Sequence, residues 1–195
     1  MPLSRIRFTP FDRTATEQDV LDVYQREGRL CELVRGILVE KTMGFKESSL
    51  AGVLITFLRV FLAGRKFGTV TGPDGMMRLA PGLVRISDVA FIPWERLPNR
   101  RLPDDPIPAV VPDLAAEILS PSNTPEEMGQ KLRDYFNAGT RLVWFVDPAA
   151  RTVTAYTSPD QSALYREGDT LDGGAVLPGF SLPLRQLSAE LDPQP

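Results

Sequence analysis

Apolar positions along this chain recur with two periods, and the changes of period divide it into elements. Residues 16–27, TEQDVLDVYQRE, carry Val20, Val23 and Tyr24 at helical spacing behind Thr16. Asp19 stands three positions on in a capping-box pattern, so a first helix is expected there. RLCELV and ILVEKT alternate on either side of Arg35-Gly36, the pattern of a β-hairpin closed by a two-residue turn. Over residues 46–66 apolar side chains occupy most of the helical circumference, which predicts a long helix buried on both sides. FGTVTG, MMRLA and VRISDVAFI follow as strand candidates, and the proline-rich stretch 93–112 reads as an irregular excursion.

The second half opens with DLAAEIL, a strand. Thr124 as N-cap, Pro125 at the first helical position and Glu127 at the third then start a helix, which Gly139 stops. RLVWFVDP is a continuous apolar run, as a central strand covered on both faces should be. Asp147-Pro148 turns the chain into the alternating RTVTAYT. ALYREG and AVLPGFSLPL read as short edge strands, and LDPQP as a frayed end. With no internal repeat and no second core, the pattern predicts one α/β (α+β) domain over residues 1–195.

Composition narrows the chemistry. Pro is frequent, at 18 in 195 residues, or about 9% against the usual share of roughly 5%; the clustering of these prolines marks loops. There is no His and one Cys, Cys31, which excludes Ser–His–Asp triads, Cys–His pairs, disulfide scaffolds and most zinc sites. Catalysis would rest on Asp, Glu, Lys, Arg, Tyr or hydroxyl groups, and a metal would be a hard cation such as Mg²⁺ or Mn²⁺. The net charge of −3 lacks the basic excess of most phosphate-gripping proteins. The basic residues Arg5 and Arg7, Arg65-Lys66 and Arg100-Arg101 read as ordinary solvated surface. The apolar stretch 50–64 is interrupted by Arg59 and too short for a hydrocarbon core of roughly 30 Å. With no secretory leader in MPLSRIRFTPFDR, the expectation is a cytoplasmic protein without a membrane partner.

Two carboxylates interrupt apolar strands. Asp88 shares a face with Ile86, Ala90 and Ile92, and Glu117 shares one with Asp113, Ala115 and Leu119. A buried ionised carboxylate is costly unless it is paired or binds a metal. Lys131 lies on the flank of the Met128–Leu132–Tyr135–Phe136 stripe of the following helix, placed to reach inward, with Tyr135 one turn below. Glu47, at the start of the long helix, is a weaker candidate with a purely structural role at the helix dipole. Glu32 and Glu40, weaker candidates too, alternate with apolar hairpin residues and are expected to be solvated. Asp147 is expected to initiate a turn, and Cys31 to be a small core residue.

The order of these elements resembles the PD-(D/E)XK nuclease superfamily. More closely, the chain is similar to the bacterial restriction endonuclease family called Uma-two. ELVRGILVE, VRISDVAFIP, PDLAAEILSPSNTPEEMGQKLRDYFNAGTRLVWFVDP and LPGFSLPL carry the likeness over most of the chain. The resemblance implies a restriction-endonuclease-like mixed β-sheet flanked by helices, a divalent metal held by Asp88 and Glu117, and phosphodiester hydrolysis of DNA. The superfamily's lysine would stand two residues after the acid, where this chain has Leu119, so Lys131 would serve as a migrated lysine. A literal Pro112-Asp113 occurs in the other strand, but Asp113 lies four residues before Glu117, roughly 13 Å away and too far to share a metal. The rival readings are a catalytically silent interaction module, which Leu119 and the acidic composition favour, and a carboxylate-metal phosphoesterase acting on nucleotides. A homodimer is left open.

Overall fold

The computed structural model describes residues 3–7 and 14–193. A two-residue strand β1 (Ile6–Arg7) precedes helix α1 (Glu17–Glu27), at whose start the Thr16 backbone N–H and hydroxyl both donate to Asp19. The hairpin β2 (Cys31–Val34) and β3 (Ile37–Glu40) closes through Arg35 and Gly36. Both have positive φ, 52° and 73°, the backbone twist that a two-residue hairpin turn requires.

Helix α2 spans Phe45–Leu62, shorter than expected, and it is not buried all round. Leu50, Ala51, Leu54, Leu58 and Leu62 face the core, while Phe45 and Val60 lie open to solvent. It packs on one sheet, and among the described residues no element covers its Phe45 and Val60 side, so its apolar circumference is only partly used.

Strands β4 (Gly68–Thr71), β5 (Met77–Ala80) and β6 (Leu83–Arg85) follow, then β7 (Val89–Pro93). The run VRISDVAFI is therefore two strands, not one. β6 belongs to a five-stranded antiparallel sheet ordered β1-β3-β2-β6-β5, and β7 joins a different, six-stranded sheet. Residues 86–88 carry the chain from one sheet to the other, which puts Asp88 at a crossing point rather than in mid-strand.

The 93–112 excursion is irregular, with two short 3₁₀ turns, but Leu97, Ile107 and Val110 pin it against the body. Strand β8 (Leu114–Ile118) leads to helix α3 (Pro125–Ala138), capped by the Thr124 hydroxyl accepting from the Glu127 N–H and ended by Gly139 at φ 101°. Then come β9 (Leu142–Asp147), β10 (Thr152–Ser158) and β11 (Gln161–Arg166). The six-stranded sheet runs β11-β10-β9-β8-β7-β4 and is mixed, β8 and β9 being its parallel pair across the α3 crossover. The tail pairs β12 (Thr170–Gly173) with β13 (Leu177–Pro183) as a separate ribbon. β13 is the strand expected in AVLPGFSLPL, and it is followed by a short helix α4 (Leu184–Ser188) and a 3₁₀ turn. The last two residues of LDPQP lie outside the described residues.

Alternation along β8 sorts the core. Leu114, Ala116 and Ile118 face α2 with Trp144 and Val146, while Ala115 faces Met128, Leu132 and Tyr135 of α3. A third cluster joins Val20 of α1 to Cys31, Leu33 and Leu38 of the hairpin. The fold is thus mixed α+β, with one mixed sheet, one antiparallel sheet and a ribbon flanked by helices. Among the described residues no helix is long and apolar enough to cross a membrane.

Candidate active site

Glu117 follows Ala116 in β8, so alternation turns it to the α3 face, where both its oxygens are engaged. The Lys131 Nζ is 2.8 Å from Oε2, and the Tyr135 hydroxyl donates to Oε1 at 2.6 Å. Asp88 reaches the same place from the sheet crossing. Its backbone N–H donates to the Ala116 carbonyl at 3.1 Å, and its Oδ2 accepts the Ile118 N–H at 2.6 Å. A side-chain oxygen thus replaces the ladder acceptor where strand pairing stops. Oδ1 is left facing the cleft, 2.6 Å from the Nζ of Lys41, which is also 3.4 Å from Glu117 Oε2. The two carboxylates converge on one ammonium.

Lys41 was not anticipated. It is the residue after β3, its backbone fixed by a 2.8 Å bond from its N–H to the Leu30 carbonyl, and its side chain is 6% exposed. In sequence it is one lysine after an ordinary strand, and nothing local marks it.

Glu32 overturns its expected solvation. It is 2% exposed, accepts from the Ile86 N–H at 3.0 Å, and lies 2.7 Å from Arg85 and 3.3 Å from Lys131. Arg85 also binds Asp134, and Gln130 donates to Asp134 at 2.6 Å. The reason lies in tertiary packing: the five-stranded sheet lays its Glu32 and Arg85 face over the Lys131 and Asp134 side of α3. Applying to CELV the mid-strand rule that singled out Asp88 and Glu117 would have found Glu32. Arg5 is also buried rather than solvated, and it pairs with Glu127 on the same helix side.

The remaining candidates separate. Glu47 lines the cleft. Glu40 lies away from it, neither fully solvated nor part of the cluster, held by Arg7 at 2.8 Å and Arg29 at 3.0 Å. Asp113 pairs with Arg96 and Arg141 elsewhere. Asp147 accepts from the Ala149 and Ala150 N–H groups in a turn. Cys31 is fully buried, and burial pushes its thiol up to about 11.

Burial works against every charge here, and the outcome depends on partners. It pushes the Asp88 carboxyl above its usual range; Lys41 pulls it back only in part, and Glu117 adds to the rise. For Glu117 burial acts upward too, but Lys131 and Lys41 outweigh it and the carboxyl ends below its ordinary value. Glu32, opposed by burial but attracted by Lys131, Arg85 and Lys41, is held at about 2. Burial acts to discharge Lys41, and Glu117 and Asp88 reverse this, raising it. Tyr135 is raised well above its usual range by burial and then by the Glu117 charge, so it stays a neutral donor.

The cleft is small and polar, with a free volume of about 10 Å³ among Arg5, Lys41, Glu47, Asp88, Glu117 and Lys131. That is room for about one water molecule. Beside it runs a groove of about 430 Å³ that shares Glu47, Ser120 and Asn123 with it. Among the described residues no three His, Cys, Asp or Glu side chains converge as a ready-made metal cage. The donor set nonetheless fits a hard cation. Two carboxylate oxygens already share one positive charge, and Mg²⁺ is commonly held by one or two carboxylates, with water and substrate phosphate completing its shell.

The family model of Uma2, described as "Putative restriction endonuclease", matches residues 17–185. Among solved structures, the fold is similar to that of "a putative nuclease belonging to DUF820" from Anabaena variabilis ATCC 29413. The TM-score is 0.75 at 18% identity, over 89% of this chain and 99% of that one. No curated protein matches the chain.

Proposed function

The chain belongs to the Uma2 family of restriction-endonuclease-like nucleases, and from that premise we propose that it is a Mg²⁺- or Mn²⁺-dependent endonuclease hydrolysing DNA phosphodiester bonds. The observation that carries this reading is the meeting of Asp88 Oδ1 and Glu117 Oε2 at a single cationic point, with the Lys131 ammonium 2.8 Å from Glu117. A divalent cation bound there supplies charge for the phosphate and lowers the pKa of the attacking water.

This chain's own residues do the rest. Asp88 and Glu117 would hold the cation, and Asp88 is itself fixed by the Ile118 N–H. Lys131 stabilises charge developing on the phosphate oxygens, from a position set by Glu32 and Glu117. Tyr135 anchors the second oxygen of Glu117 and so fixes the direction in which the first one points. Leu119 costs the site nothing, because Lys131 brings an ammonium to Glu117 from α3. The adjoining groove gives a strand a path past the cleft.

The test is cleavage of plasmid DNA with Mg²⁺ or Mn²⁺, using Asp88→Ala as the blank against contaminating nuclease. Metal-dependent nicking by the wild type and none by the variant is expected. Intact plasmid across metals and salt concentrations, with nucleotide substrates also uncut, would transfer the assignment to a silent interaction module. Hydrolysis of nucleotides alone would make the protein a phosphoesterase.

A further inference from the structure

We infer that Lys41 is a built-in counter-cation, whose ammonium occupies the position of the divalent ion between Asp88 and Glu117 and must leave before that ion can enter. The inference rests on the two-carboxylate cation reading above and adds a residue that competes for the same place.

Three observations carry it. The first is contact: Lys41 Nζ lies 2.6 Å from Asp88 Oδ1 and 3.4 Å from Glu117 Oε2, the two oxygens a shared cation would use. The second is room. The cleft has free room for about one water molecule, whereas Mg²⁺ usually keeps several waters in its shell. An ammonium and a hydrated divalent ion therefore exclude each other.

The third is charge. Glu32, Asp88, Glu117 and Asp134 stand against Lys41, Lys131 and Arg85 in the buried network. Four negative groups face three positive ones, and withdrawing Lys41 leaves a deficit of two, the charge of one divalent cation. The two lysines are not equivalent in this respect. Lys131 is clamped between Glu117 and Glu32, a carboxylate that Arg85 and the Ile86 N–H hold from behind. Lys41 is ion-paired with the two carboxylates that the incoming ion would take, at the wall of the cleft beside Thr42 and Met43. Departure of Lys41 takes the ammonium from Asp88 Oδ1 while Oδ2 keeps the Ile118 N–H, leaving a carboxylate oxygen that a divalent ion satisfies.

The test measures Mn²⁺ binding to the full chain without DNA, from the free-ion electron paramagnetic resonance signal. Relative to wild type, Lys41→Gln should bind Mn²⁺ at least about tenfold more tightly, since a buried positive charge no longer opposes the ion. Lys41→Arg, which keeps the charge, should bind no better than wild type, and adding Asp88→Asn to Lys41→Gln should remove the gain. In ¹⁵N-lysine-labelled wild type, saturating Mg²⁺ should shift or extinguish the protected Lys41 ammonium resonance while that of Lys131 persists. This readout stands even if Lys41→Gln does not fold. Equal or weaker Mn²⁺ affinity in Lys41→Gln, with Asp88-dependent binding in both proteins, overturns the role of Lys41 and leaves the metal reading standing. An unmoved Lys41 resonance at saturating Mg²⁺ does the same. Absence of Asp88-dependent binding from every protein overturns both.

Discussion

Helices α2 and α3 cover opposite faces of the same six-stranded sheet with opposite chemistry. α2 lays a column of Leu50, Leu54, Leu58 and Leu62 against one face and leaves its own far side, Phe45 and Val60 included, to solvent. α3 packs Met128, Leu132 and Tyr135 on the other face, and its second stripe, Glu127, Lys131 and Asp134, is buried as well. The difference comes from what lies beyond each helix. Among the described residues no element covers the Phe45 and Val60 side of α2, whereas the five-stranded sheet closes over α3 and supplies Arg5 (just before β1), Glu32 and Arg85 as partners for that charged stripe. One face of the sheet is an ordinary apolar core. The other has its own apolar core and, alongside it, a layer of paired charges that is dry enough to set pKa values and to aim an ammonium.

The largest expected effect is on the charged side. Lys131→Ala leaves Glu117 and Glu32 each short of a buried partner, so urea unfolding should show a loss of about 3–5 kcal/mol. Plasmid cleavage by the folded fraction should also fall by about 10²–10³. A lysine at the surface would give the loss of rate without the loss of stability; at 2% exposure Lys131 should give both. Unchanged stability would mean that the two sides of the sheet do not differ as described.

On the apolar side, Leu54→Ala should cost about 2–5 kcal/mol by urea unfolding through the cavity it leaves, with cleavage per folded molecule unchanged. Across the same helix, Val60→Ser should stay within about 0.5 kcal/mol. A rate loss in Leu54→Ala matching that of Lys131→Ala would erase the distinction between the faces.

Acid should act most strongly on the charged layer. The Glu32 carboxyl is held at about 2 against an ordinary 4.5, so its contribution is complete above pH 4.5 and drains away as pH falls toward 2. Glu117, also lowered, acts with the same sign, and Asp88, raised by burial, acts with the opposite one. Urea midpoints measured from pH 5 down to pH 2.5 should fall steadily in wild type and more shallowly in Glu32→Gln. Parallel slopes would remove Glu32 from the buried network.

Much of this arrangement was legible before any tertiary structure. Thr16 with Asp19, and Thr124 with Pro125 and Glu127, start helices by satisfying the first free N–H groups, and those interactions are local. Alternation put Glu117 on one face with Asp113, Ala115 and Leu119, and helical periodicity put Lys131 on a flank from which it could reach inward. The break in VRISDVAFI was not legible, because Ile86 and Val89 suit a strand in either sheet. What stops the pairing is Asp88 offering its own carboxylate to the Ile118 N–H across the sheet.

What the sequence determined by itself, then, were the elements, their apolar faces and the carboxylates too costly to bury alone, since each follows from neighbours within a few residues. The tertiary structure decided which charges share a space. Whether Glu32 meets solvent or Lys131, whether Arg5 is free or bound to Glu127, and whether Lys41 reaches Asp88 all depend on the five-stranded sheet closing over α3. Lys41 and Asp88 are 47 positions apart, and Lys41 and Glu117 are separated by 76. Coulomb attraction in a dry interior depends on distance through space, and no period along the chain encodes it.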